Sequence, residues 1–131
     1  STPSNSSAAS DVYKRQKHSG HIYHYEDMII YYAAHLALRH NDLRDFCPEE
    51  VSVLKAYDKK TGSELLKTLD RFLLYVDDPV TAANSLNIHR NTLLYRINKI
   101  KELTGLDLKN GNQRLRIQFY LKLAEYQHGG W

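Results

Sequence analysis

The sequence predicts an all-α fold of about six helices, with a helix-turn-helix in its C-terminal half. Three observations predict it. Apolar residues recur at three- and four-residue spacing in several separate stretches, Pro, Gly and Asn stand between those stretches where helices end, and no pair of alternating runs is available to form a sheet. With 131 residues, 42% of them hydrophobic and 25% charged, the chain is long enough for one domain with a real core.

The first stretch, "STPSNSSAASDVYKRQKHSG", is rich in Ser and lacks apolar periodicity, and "DVYKRQ" resembles a translated sequencing-adapter read. Residues 1–20 are therefore expected to be a disordered tail or an assembly scar, with the true protein beginning further upstream. From Tyr25 the pattern turns helical. Met28, Ile29, Tyr32 and Leu36, flanked by Tyr31 and Leu38, make a broad stripe, and Glu26 and Asp27 suit the positive end of the helix dipole; the helix should end near His40. In "CPEEVSVLKAYDKK", Pro48 suits the first helical position, Val51, Leu54 and Tyr57 the buried face, and Gly62 the end. Ser63 is the expected N-cap of a third helix carrying Leu65, Leu66, Leu69, Phe72, Leu73 and Val76, which stops at Asp77-Asp78-Pro79.

After Pro79 a short helix holds Thr81, Ala82, Ala83 and Leu86, and Asn87 is the expected pivot of a tight turn because Asn tolerates left-handed backbone angles. A longer helix follows from His89 or Arg90 to Thr104, capped by Gly105, with Leu106 and Leu108 returning to the core. The run "RLRIQFYLKL" satisfies both strand and helix spacing. A lone strand would leave its backbone groups unpaired, so a closing helix with Leu115, Phe119, Leu123 and Tyr126 is expected.

The helix after the turn is two-sided. Leu93, Ile97 and Ile100 can bury against Ala82 and Ala83, whose small side chains permit a close crossing. Asn91, Thr92, Tyr95, Asn98, Lys99 and Glu102 face the other way, with Arg90 and Arg96 flanking. Charge points in the same direction: basic minus acidic residues balance at +2 over 1–25, −4 over 26–78 and +5 over 79–131. A helix of about fifteen residues is roughly 22 Å long and fits a major groove about 12 Å wide. Short helix, tight turn, small residues at the crossing and a polar, basic outer face describe a helix-turn-helix that would take double-stranded DNA as its partner. The competing reading is a helical protein-interaction module whose basic face meets an acidic protein.

"HRNTLLYRINKIKELTGLDL", preceded by "AANSLNI" and "LLKTLDRFLLYVDD", resembles the C-terminal helix-turn-helix domain of PucR/CdaR-type bacterial transcriptional regulators. The resemblance runs from about Val51 to Leu123, and "YHYEDMIIYY" resembles the segment preceding that domain. It implies a linker helix over 21–47, a DNA-binding domain over 48–126, a tail over 127–131, and sensory or effector domains upstream. Leu94 stands where many members carry Arg or another polar residue. On this reading Arg90, Asn91, Thr92 and Tyr95 reach bases, Arg96, Lys99 and Lys101 reach phosphates, and His89 and Thr81 contact the DNA backbone at the helix ends. A two-fold symmetric site implies a homodimer, and the setting is expected to be cytoplasmic.

Other chemistry is not expected. The single cysteine, Cys47, excludes an internal disulfide and reads as a small, partly buried apolar residue. His18, His21 and His24 lie across Gly20, which breaks the helix that metal ligation with Glu26 or His35 would need. The tyrosines near the first helix suit packing or a subunit interface better than base stacking. No nucleophile with a base, no phosphate-binding glycine loop and no apolar carboxylate pair is present, so no enzyme, no cofactor and no metal is expected. "MIIYYAAHLAL" is too short to cross a membrane.

Overall fold

A computed structural model describes residues 25–128. The order of elements is α1 (Tyr25–Leu38), a 3-10 turn (Leu43–Phe46), α2 (Glu49–Thr61), α3 (Leu65–Leu74), α4 (Pro79–Ser85), α5 (Arg90–Thr104) and α6 (Gly111–His128). No strand occurs among the described residues, and the all-α expectation holds. No helix among them is long and apolar enough to cross a membrane. Residues 1–20 and the histidines His18, His21 and His24 lie outside the described residues. Two compact units divide the chain, one over 47–118, the other including 25–46 and 119–128.

In the 47–118 unit, α3, α4 and α5 pack on one another, and α2 lies against both α3 and α5. Its core is aliphatic: Val51, Leu54, Leu69, Leu93 and Ile100 are wholly buried, and Leu65, Leu66, Leu73, Ile97, Leu106 and Leu108 nearly so. Burying each such side chain contributes roughly 1.5 to 3 kcal/mol, so this cluster dominates the unit's stability. Thr68 is the polar exception and is 0% exposed. Cys47 is half-buried, its Sγ 3.5 Å from Ser52 Oγ.

The ends of α2 and α3 differ from expectation. Pro48 precedes the first helical residue rather than occupying it. Ser63 does not cap α3; its hydroxyl pairs with Thr61 at 2.7 Å, and Glu64 stands at the cap position without a side-chain bond. Asp58, near the end of α2, does the capping: its two carboxylate oxygens accept from the amides of Leu65 and Leu66 at 2.9 and 3.0 Å. A carboxylate satisfies two orphan amides and meets the helix dipole, which a hydroxyl cannot do as well. The helix closes at Leu74, so Val76, expected on the buried face, is 41% exposed.

In the other unit α1 buries Tyr31 and Ala34, and the second half of α6 buries Tyr120, Leu121, Leu123 and Ala124. The Tyr31 hydroxyl donates to the Glu125 carboxylate, His35 Nδ1 and the Tyr126 hydroxyl are 2.9 Å apart, and Phe46 meets Phe119 edge-on. The expected faces are corrected here. Ile29 and Leu36 are exposed, while Tyr31 lies inside; on α6, helical as expected, Leu115 and Phe119 are exposed. Both helices carry apolar residues around most of their circumference, so spacing alone does not select the buried side.

Replacing Asp58 with Ala should cost about 1 to 2 kcal/mol in urea unfolding, because two amides lose their partner, and Asp58→Asn should cost less. Within the 47–118 unit, Arg116 donates two hydrogen bonds to Glu50 at 2.9 and 2.8 Å. These hold the Glu50 carboxyl below the usual carboxylate range, outweighing the effect of burial. The folded value is the lower one, so this stabilisation is complete above the unfolded pKa and is lost as pH falls through the folded pKa. Glu50→Gln should therefore lower stability near neutral pH and shrink the further loss on acidification; an unchanged acid dependence would show that the pair contributes nothing.

Candidate nucleic-acid interface

The motif begins at Asp78, whose side chain accepts from the Thr81 amide at 3.0 Å while Pro79 fills the first turn of α4. The same carboxylate accepts from the Thr81 hydroxyl, and these bonds, side chain first, hold the Asp78 carboxyl below its ordinary range. The single hydroxyl proton of Thr81 is thus already given to an acid. Ala82 and Ala83, 0% and 2% exposed, occupy the inner side of α4, which packs on α5. A larger side chain at either place would force the helices apart.

The turn is closed by backbone bonds. Ile88 N–H donates to Ala83 C=O and Asn87 N–H to Asn84 C=O, both at 3.1 Å, around Asn87 at φ 54°. This pair of hydrogen bonds around a left-handed residue is a Schellman-type helix end, and Asn is the residue most tolerant of that angle after glycine. The chain then enters α5 through His89, whose Nδ1 accepts from the Asn91 amide at 3.1 Å. Since that nitrogen accepts, the ring proton of the neutral side chain sits on Nε2.

Helix α5 is fixed from below by Leu93, Ile97 and Ile100 and stops at Gly105 in the left-handed region, φ 70°, whose N–H reaches Lys101 C=O at 2.8 Å. Thr104 accepts from the Leu106 amide at 3.2 Å, starting the return to the core. The next loop is tied in turn. Asn110 accepts from the amides of Asn112 and Gln113, capping α6, and Arg114 donates to Leu108 C=O at 2.8 Å.

The nine sequence-predicted residues fall into two groups. His89, Arg90, Asn91, Thr92, Tyr95 and Lys101 are exposed, and Tyr95 is 71% exposed despite its size. They share the solvent side of the motif with Asn98. Thr81, Arg96 and Lys99 are half-buried and have partners inside the unit. Arg96 Nη1 donates to Thr68 Oγ1 at 3.2 Å, and Lys99 Nζ lies 3.9 Å from Glu102 and 5.9 Å from the centre of the Tyr57 ring. Leu94 is half-buried, which suits its apolar side chain. Thr68, Asp58 and Asn110 escaped the sequence reading. A Thr among the leucines of α3 was the available signal for the first, and Asn110 with Gln113 three residues on was the signal for the last. Among the described residues no group of His, Cys, Asp and Glu is arranged to hold a metal.

This is a helix-turn-helix: a short capped helix, a closed turn and a second helix whose outer side is polar. Residues 65–123 match the PucR C-terminal helix-turn-helix domain, and that segment belongs to this family. The chain is 39% identical over 101 residues to the proline-responsive transcriptional activator PutR of Bacillus subtilis, covering 77% of this chain and 24% of that protein. It is 41% identical over 73 residues to the DNA-binding transcriptional activator AdeR of Bacillus subtilis, covering 56% and 17%. To the carbohydrate diacid regulator of Escherichia coli it is 46% identical over 61 residues, covering 47% and 16%. The matches thus span a quarter or less of these relatives, all named as regulators. No solved structure gives a significant match.

The turn yields a direct test of its geometry. Asn87→Gly should leave stability near that of the unaltered chain, whereas Asn87→Ala should cost about 1 kcal/mol, since alanine keeps the Cβ disfavoured at positive φ and lacks the short polar side chain that lets asparagine bond locally there. Equal unfolding midpoints for the two variants would remove the left-handed constraint.

Proposed function

We propose that this chain binds duplex DNA sequence-specifically, as the output domain of a bacterial transcriptional regulator, with α5 in the major groove. The observation that carries the reading is the solvent face of α5. Arg90, Asn91, Thr92 and Tyr95 stand outward at its start, while Leu93, Ile97 and Ile100 on its other side are buried. Arg can pair with guanine and Asn with adenine in bidentate fashion, and an aromatic edge or a threonine methyl can meet the thymine methyl. Lys101 and the Nε2 proton of His89 suit phosphate oxygens. Helix-turn-helix modules of this kind read two-fold sites, which supports a homodimer. Relatives four to six times as long as the matched segment support a sensory domain elsewhere in the full regulator, and a bacterial DNA target fits a cytoplasmic setting.

Selection of bound duplexes from a random library, read by sequencing, tests the proposal. Enrichment of an inverted repeat is the expected outcome, and its half-site spacing would report the separation of two α5 helices. Against that repeat, Arg90→Ala or Asn91→Ala should each relax preference at one base pair by about 1 to 3 kcal/mol, and Lys101→Ala should lower the salt slope by about one unit. Failure to retain any duplex would overturn the DNA reading in favour of a protein-interaction module.

A further inference from the structure

Of the two half-buried cations of α5, Arg96 and Lys99, Arg96 is the one that donates to a wholly buried oxygen. We propose that Arg96 is a positioning residue: its bond to Thr68 on α3 sets the rotation of α5 on its bed, and thereby where Arg90, Asn91, Thr92 and Tyr95 point. The inference deepens the DNA-binding reading and depends on it.

Thr68 is 0% exposed, on the buried side of α3 between Leu65 and Leu69. Its hydroxyl proton goes to Glu64 C=O at 2.7 Å, one turn back in its own helix. Only the oxygen's lone pairs remain free to interact across the interface, and Arg96 Nη1 donates to them at 3.2 Å. Swinging Arg96 out to a phosphate would strip this buried oxygen of its donor from across the interface.

Rotation is the coordinate that matters. Leu93, Ile97 and Ile100 hold α5 down by burial, which is non-directional and penalises a small roll weakly. A side-chain end stands roughly 6 Å from a helix axis, so a roll of about 15° moves it by about 1.5 Å, well outside the hydrogen-bond window. A directional bond from a residue adjacent to Tyr95 resists that roll. The Lys99 contacts with Glu102 and the Tyr57 ring act on the same helix further along, but Glu102 is 72% exposed and the ion pair is correspondingly weak.

The test compares Thr68→Val, Thr68→Ser, Arg96→Ala and the Thr68→Val/Arg96→Ala double variant of the whole chain. Each is titrated over a range of salt against the duplex enriched by the unaltered chain and a random duplex of equal length, with circular dichroism to check helicity. Thr68→Val, nearly isosteric and remote from solvent, should weaken binding to the enriched duplex about tenfold, while leaving random-duplex affinity and the salt slope unchanged. Thr68→Ser should retain full affinity, Arg96→Ala should match Thr68→Val, and the double variant should be no worse than either single one. If Thr68→Val does not fold, Arg96→Ala with the same two readouts carries the test. Unchanged binding by folded Thr68→Val overturns the role. So does an equal loss on both duplexes with a salt slope lower by about one for Arg96→Ala, which is the signature of a phosphate contact. Failure of the unaltered chain to bind DNA, or to prefer any sequence, is seen before any variant is made; it overturns the DNA reading itself, and this role with it.

Discussion

Two methyl groups set the geometry on which the rest of the motif depends. Ala82 and Ala83 are the surface α4 offers inward, and their smallness lets α5 lie close enough for Leu93, Ile97 and Ile100 to be shielded from water. The requirement propagates outward. A close crossing needs a short link, a short link needs a sharp reversal, and a sharp reversal needs one residue in left-handed conformation, which Asn87 supplies at φ 54°. Each step leaves less freedom to the next. The start of α5 is accordingly well defined, with His89 capping it from outside and the alanines bounding it from below.

Polar side chains complete what burial cannot. Apolar packing holds helices together but specifies their ends and rotations poorly, and the chain answers with single, well-placed acceptors. Asp78 caps α4, His89 caps α5, Asn110 caps α6, and Thr68 receives Arg96 across the α3–α5 contact. None of these is a large energetic contribution. Together they convert a cluster of greasy helices into one with defined orientations, which a surface for reading another molecule requires.

The parts legible in the sequence were those decided locally. Asn87 and Gly105 carry their roles in their own backbone chemistry, and each appears where that chemistry places it. The buried side of α5 was legible because its apolar residues occupy one arc only. In α1 and α6 they do not, and the inward side there is chosen by tertiary packing that no helical wheel contains. Arg96 and Lys99 illustrate a second limit: a wheel gives the direction of Cβ, whereas a long flexible stem can carry its charge back towards the interior. The cap of α3 shows a third. Ser63 is the better candidate by sequence, yet Asp58 from the preceding helix reaches both amides with a full charge.

That last contact makes neighbouring helices share a fate. The final turn of α2 supplies the acceptor for the first amides of α3, so fraying of one end exposes the beginning of the other. Gly62 between them turns at φ 72°, keeping the linker tight enough for the carboxylate to reach. Such a joint couples two short helices into one opening unit for hydrogen exchange, more resistant than either of its separate ends. For a segment as brief as α3, ten residues and only marginal alone, cooperation with its neighbour is the condition of being a helix at all.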